Sequence, residues 1–368
     1  MSQAENSFTI RVDMENENSN MTYEYYVNGE LKARTSSNEY TQEVELESKE
    51  PYLPSGFRHT TGDVNNGYVI RDTSNGNEFV WVPVGGKNYT IYVKASDGKN
   101  INLQSNEIDV AVSELTRIIN GYTYDNWYEE EGDINDKKSI AYFKKSVAEN
   151  GGFYMGRYEM GMPNQQSGLA FSREARNIRG VPVCKANEMP WNYIDWSTAK
   201  ANLESMYNGE VQSAMMNSYA RTTTLNWFVS SGAKTISELM NSSASFGIYN
   251  DSHMEFKGGY SNPDGNGGYV EDYISIMEVN NMVANGFCFI ETGANTRPAN
   301  VNAINNIFDL AGNTAEWTTE KRKDSGNYRL SGGCCESYSY AHPIIDTSLE
   351  LSGTIGTGTA SSRPILYK

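Results

Sequence analysis

A chain of 368 residues with 38% apolar and 12% aromatic side chains has enough volume for a real core and enough length for two or three domains, which excludes disorder throughout. A formal charge of -16 argues against general binding to nucleic acid or anionic membrane. No stretch approaches the ~20 apolar residues of a membrane span, and Met1-Ser2-Gln3-Ala4-Glu5-Asn6 does not read as a signal peptide.

The first 49 residues read as β structure. Phe8, Ile10 and Val12 alternate with polar residues, as do Tyr23, Tyr25 and Val27 leading into Asn28-Gly29, a strong hairpin signal. Tyr89 to Ala95 and Ile108 to Val112 form a second hairpin-like pair around Ser96-Asp97-Gly98-Lys99. Neither half has enough strands for a stable core alone. The expectation is therefore one interleaved Ig/fibronectin-like β-sandwich built from 1–49 with 86–112. Between its halves, Phe79-Val80-Trp81-Val82-Pro83-Val84 is apolar on both faces and belongs inside a larger domain, 51–84 with 114–368.

Further on, Lys137 to Glu149 carries Ile140, Phe143 and Val147 at helical spacing and stops at Asn150-Gly151-Gly152. Phe153 to Met160 follows as a strand. Ser197 is a candidate cap for a helix bearing Ala199, Leu203 and Met206. Thr222 to Ser230 reads as a short helix, Gly258 to Gly268 as an irregular loop, and Arg363 to Tyr367 as a closing strand. Ile307, Phe308 and Leu310 precede a turn at Ala311-Gly312-Asn313, where Gly312 or Asn313 accepts positive φ, before a strand opening at Glu316-Trp317. The fold class is α+β.

Four cysteines and three histidines leave little for catalysis. Cys184 and Cys288 read as buried thiols, and no HExxH, CxxC or GxxxxGK[ST] pattern occurs. Asp264, Glu271 and Asp272 could offer oxygen ligands to Ca²⁺, but without EF-hand spacing they read as a solvated acidic loop.

Four segments carry a resemblance: GGFYMGRYEMG at 151–161, MPWNYIDWSTAKANLE at 189–204, NNIFDLAGNTAEWTTE at 305–320 and YRLSGGC at 328–334. In this order they resemble the formylglycine-generating-enzyme (sulfatase-modifying factor) domain, which implies a C-type-lectin-like fold with few regular elements. GFRHTTGDVNNGYVIRDTSNGNEFVWVPV at 56–84 is similar to the opening of bacterial and phage members. For the enzymes, the resemblance implies Cu(I) held by two cysteines a few residues apart beyond the Gly-Gly. Here Cys334 and Cys335 follow Gly332-Gly333 directly, and adjacent side chains on a strand point to opposite faces.

A second branch of this fold, the variable proteins of diversity-generating retroelements, implies a ligand surface in the C-terminal segment 328–348. No Lys, Arg or Asn occurs from Cys334 through Ser362. The expected solvent-facing ligand residues are Cys335, Ser337, Tyr338, Tyr340, His342, Ile344 and Asp346, whose Tyr/Ser chemistry suits adaptable contacts. On a strand, Tyr338 and Tyr340 would instead be core, with Ser337 and Ser339 outward. This reading implies a non-enzymatic recognition protein without cofactor or metal, on a phage tail or bacterial cell surface, that binds a protein or glycan and forms homo-oligomers. The alternative is a formylglycine-generating-type cysteine oxidase or a degenerate relative of one.

Overall fold

The structure is a computed structural model that describes residues 2–4, 7–12, 21–43, 50–96, 106–113, 126–163, 177–263, 265–283, 286–339, 343–345 and 349–368. It is a mixed fold, 15% helix and 36% strand, with several antiparallel sheets. The chain divides into two compact units, 1–49 with 84–114 and 50–83 with 115–368. No helix among the described residues is long and apolar enough to cross a membrane.

In the first unit one antiparallel sheet runs Asn106–Ser113, Gly86–Ser96, Thr22–Val27, Glu30–Thr35, so strands from both chain segments pair directly. Asn28 and Gly29 take φ of 52° and 81°, the left-handed pair that a tight two-residue hairpin needs. The period-2 pattern then decides the faces: Tyr23, Tyr25 and Val27 are buried while Thr22, Glu24 and Tyr26 are half-buried. A second sheet holds Ser2–Ala4, Ser7–Arg11 and Glu39–Glu43. Its Ile10 and Tyr40 pack on the same core as Tyr23, Tyr25 and Ile91, so the two sheets share one apolar interior.

The second unit is organised by a six-stranded sheet in the order Gln212–Met215, Pro364–Tyr367, Gly152–Gly156, Glu78–Pro83, Val69–Asp72, Phe57–Thr61. Helix Ile140–Asn150 is capped by the Ser139 side chain and stopped by Gly151 at φ 77°. Its Phe143 meets Phe153 and Tyr367 edge-on at 5.3 and 5.2 Å between ring centres. A second sheet joins Trp127–Tyr128, Ala315–Arg322, Tyr328–Ser331 and Glu350–Leu351, with Ala360–Ser362 parallel to Ala315–Arg322. Trp317, fully buried at its centre, donates Nε1–H to the Ile194 carbonyl (3.1 Å).

Two local expectations change. Asp195, not Ser197, caps helix Trp196–Glu204, because its carboxylate reaches the Thr198 N–H at 2.7 Å while Ser197 merely donates to that same carboxylate. The glycine-rich stretch is not an irregular loop. Glu255–Ser261 and Gly267–Ser275 pair as a hairpin, flanked by Phe289–Ile290 and Asn295–Arg297.

The second unit also buries charge. Arg363 is fully buried against Glu316 (2.6 Å) and donates to the carbonyls of Gly156 and Phe308, while Arg329 pairs with Glu320 at 2.6 Å. Burial, with the neighbouring charges of Asp309 and Glu316, pushes the Glu159 carboxyl well up. Desolvation likewise raises Asp309 to about 6 and Glu129 to about 7. These groups hold more protons folded than unfolded between about pH 4 and pH 7, so stability should fall as pH rises through that window. At the acid end Asp72 opposes them. Burial raises it, but hydrogen bonds from Ser74 and Tyr207 outweigh that and hold it low, so its contribution disappears as pH falls. Urea midpoints measured across pH should therefore peak near about pH 4 and decline toward pH 8. A flat profile over that range would contradict the buried-carboxyl assignment.

Candidate ligand face

The segment expected to carry the ligand face begins at a backbone crossing. Gly332 and Gly333 adopt φ of 89° and 70°. The Gly332 carbonyl accepts from the Gly312 N–H and the Tyr249 hydroxyl, both at 2.7 Å. Asn313, at φ 57°, receives the Cys335 N–H on its carbonyl (2.9 Å). Its side chain donates to Glu159 and bonds both backbone groups of Ile290. The 332–335 backbone thus rests on the 311–313 turn, and that turn is held by a buried polar network.

Beyond it the chain turns at Cys334–Ser337, closed by the Ser337 N–H on the Cys334 carbonyl (2.9 Å). The turn is latched to the segment 242–251. Asn250 N–H donates to the Ser337 carbonyl at 3.1 Å, and Ser339 gives its N–H and hydroxyl to the two Asp251 carboxylate oxygens at 2.9 and 2.8 Å. Ser242 and Ser339 share a hydroxyl contact at 2.5 Å. Nothing in the 334–346 sequence pointed to Asn250, Asp251 or Ser242, which lie some 90 residues away. Their contribution is to position the turn.

The expected residues divide. Tyr338 is 48% exposed, beside exposed Glu336 and half-buried Ser337, while Ser339 is fully buried. The turn thus reverses the strand alternative, in which Tyr338 would be core and Ser339 outward. Cys335 and Ile344 do not face solvent and are corrected here. Cys335 packs with Met189 and Phe289, and Ile344 is held inside, its carbonyl accepting from the Arg221 guanidinium and its N–H donating to Ser243 Oγ. Tyr340, His342 and Asp346 lie outside the described residues, as does Asp264. Met240, 47% exposed at the end of helix Ile236–Met240, belongs to the segment leading into Ser242 and is the apolar group that the sequence reading passed over.

The two adjacent thiols enter different clusters: Cys334 joins Met160, Trp191 and Trp317, whereas Cys335 joins Met189 and Phe289. They do not face one another as two ligands of one soft ion would. All four cysteines are free and buried. Desolvation lifts Cys184 and Cys288 to about 12 and raises Cys335 well above the ordinary thiol value. With so little thiolate, a thiol reagent such as DTNB should label none of the four within minutes in the native protein, and all four after guanidinium unfolding. Rapid native labelling of one equivalent would show that a cysteine site opens.

A separate cleft of about 250 Å³ is lined by Phe57, Asp72, Tyr207 and Glu210, among others, and by none of the described face residues. No family model matches the chain, and no curated protein matches it.

Proposed function

We propose that the chain is a non-enzymatic ligand-recognition protein whose larger unit is a C-type-lectin-like domain of the formylglycine-generating-enzyme type, with the smaller unit an Ig-like spacer. The observation that carries this reading is the Cys334–Ser339 turn. It presents Tyr338 and Glu336 to solvent while its backbone is anchored by Gly332, Asn250 and Asp251. A rigid backbone with a large amphipathic side chain at its crest provides contact area at low entropic cost. The face has no Lys or Arg from Cys334 through Ser362, which favours a polar protein or glycan over a phosphate-rich partner. A retroelement variable protein or a phage receptor-binding protein, on a virion or bacterial surface, fits these properties. The separation of Cys334 from Cys335 speaks against the cysteine-oxidase alternative.

The test is a comparison of natural copies of the gene. Under this reading, codon differences concentrate in 328–348 at outward positions such as 337 and 338, while Gly332, Gly333 and Trp317 stay fixed. Differences spread evenly along the chain, or an invariant 328–348 segment, would remove the variable-protein reading.

A further inference from the structure

The cleft of about 250 Å³ lies at the outermost strand pair of the six-stranded sheet, where Phe57 stands opposite Asp72. The segment 205–211, between helix Trp196–Glu204 and strand Gln212–Met215, brings the Tyr207 ring onto Phe57 at 5.6 Å between centres. Four side-chain hydroxyls line the space, and each gives its proton to the wall. Ser74 and Tyr207 donate to the two Asp72 carboxylate oxygens at 2.7 and 2.8 Å. Thr73 donates to the Gly56 carbonyl at 2.8 Å, and Ser55 bonds Glu210 with both its hydroxyl and its N–H. Among the described residues no Lys, Arg, His or side-chain amide lines the cleft. Its side chains therefore face the space with lone pairs, two carboxylates and the faces or edges of two rings. Hydrogen bonds from Ser55 hold Glu210 below the ordinary carboxylate value. Burial raises Asp72, but the bonds from Ser74 and Tyr207 outweigh it, so both groups are ionised at neutral pH. Lys368 bears on Glu210 through its charge, yet its Nζ sits over the Tyr52 ring at 5.9 Å and it is not part of the lining.

We propose that this cleft binds a compact organic cation, a primary ammonium or guanidinium group, with Glu210 as its ion-pair partner and the Phe57 and Tyr207 rings against its stem. Side chains that accept but have no proton left to donate disfavour an anion and match a ligand that brings both protons and positive charge. Aromatic rings beside the carboxylates add cation–π attraction. Glu210 is exposed and free to meet the incoming charge, while Asp72, 7% exposed, strengthens the negative field from within the wall. The bonds from Thr73 to Gly56 and from Ser55 to Glu210 already join the segments that form the walls, so little ordering is required on binding. The volume suits one basic side chain or a small amine.

The experiment titrates the full chain with agmatine at pH 7.5, by calorimetry and saturation-transfer NMR, with acetate and glucose in parallel. Agmatine should bind one site with a Kd of about 1 mM or tighter, and acetate should not bind. Glu210→Gln keeps an acceptor for Ser55 but removes the charge, and should weaken agmatine binding about threefold or more. Glu210→Lys, at the same exposed position, should abolish it. Glu149→Gln, an exposed carboxylate on helix Ile140–Asn150, should leave binding unchanged. A capped Ala-Lys-Ala peptide that displaces agmatine assigns the site to a basic side chain of a partner, whereas a response to agmatine alone assigns it to a free amine. The proposal is overturned if agmatine fails to bind at about 10 mM, if glucose binds as tightly as agmatine, or if binding survives Glu210→Lys.

Discussion

Arg363→Ala should cost the larger unit about 3–5 kcal/mol, because it strands a buried carboxylate rather than merely removing a contact. Arg363 lies between Glu316 and the carbonyls of Gly156 and Phe308, and its charge also lowers Glu159 and Asp309. The expected fall in melting temperature is about 6–20 °C at neutral pH. The loss should shrink in mild acid, where Glu316 and Glu159 take up protons in the variant and no longer need a counter-charge. Arg363→Lys keeps the charge but cannot serve three acceptors in one plane, so an intermediate loss is expected. Arg34, an exposed partner of Glu24, supplies the control: Arg34→Ala should change stability by less than about 1 kcal/mol. If Arg363→Ala unfolds within 1 kcal/mol of wild type, the ion pair is not the centre of this core.

Gly312→Ala should be nearly as damaging, at about 3 kcal/mol or more, through backbone geometry alone. Gly312 has φ 76°, and a Cβ would stand 2.2 Å from the Ile248 carbonyl oxygen and 2.6 Å from its carbon. Neither chain can yield, because Ile248 and Asn313 are hydrogen-bonded across the same contact and Gly312 N–H is committed to Gly332. Gly326, at φ 69° with nothing within 4 Å of a Cβ, isolates the conformational part. Gly326→Ala should cost only about 1 kcal/mol. The difference between the two denaturation midpoints measures the overlap. Equal effects would mean that the 248–312 contact is looser than the geometry shows.

Local signals in the sequence were legible where short-range physics decides. The Asn28-Gly29 turn, the helix read over Lys137 to Glu149 with its stop at Gly151, and the positive φ at Gly312 and Asn313 all follow from residues within one turn of each other. Where partners are distant, the signal is absent. Glu316 is readable as the opening of a strand, but nothing beside it or Glu320 in the sequence shows that Arg363 and Arg329 stand opposite them. Ile344 reads as part of an exposed segment until Arg221 and Ser243, more than 100 residues earlier, are seen to hold its backbone. The 255–275 hairpin was hidden for another reason. Gly258, Gly259, Gly267 and Gly268 carry no side chain, so the alternation that marks a strand is missing from the sequence while the backbone pairing remains. At the candidate ligand face, the glycines announced a turn, but the anchoring of that turn through Ser339 on Asp251 is not readable from the segment itself.

Pro364–Tyr367 lies inside the main sheet, between Gln212–Met215 and Gly152–Gly156, and this fixes the order of events during synthesis. Glu78–Pro83 and Gly152–Gly156 are made early and can pair at once, but their sheet keeps an open apolar edge until residue 367 has left the ribosome. At about 5–20 residues per second that wait lasts tens of seconds. The described strands of the smaller unit are all made by residue 113, so it can fold first and remain folded while the larger one waits. An exposed edge of this kind is a site for mispairing between nascent chains, so yield in cells should depend on chaperone supply and on slow growth temperature. A chain ending before residue 363 should accumulate as aggregate with only its first unit intact.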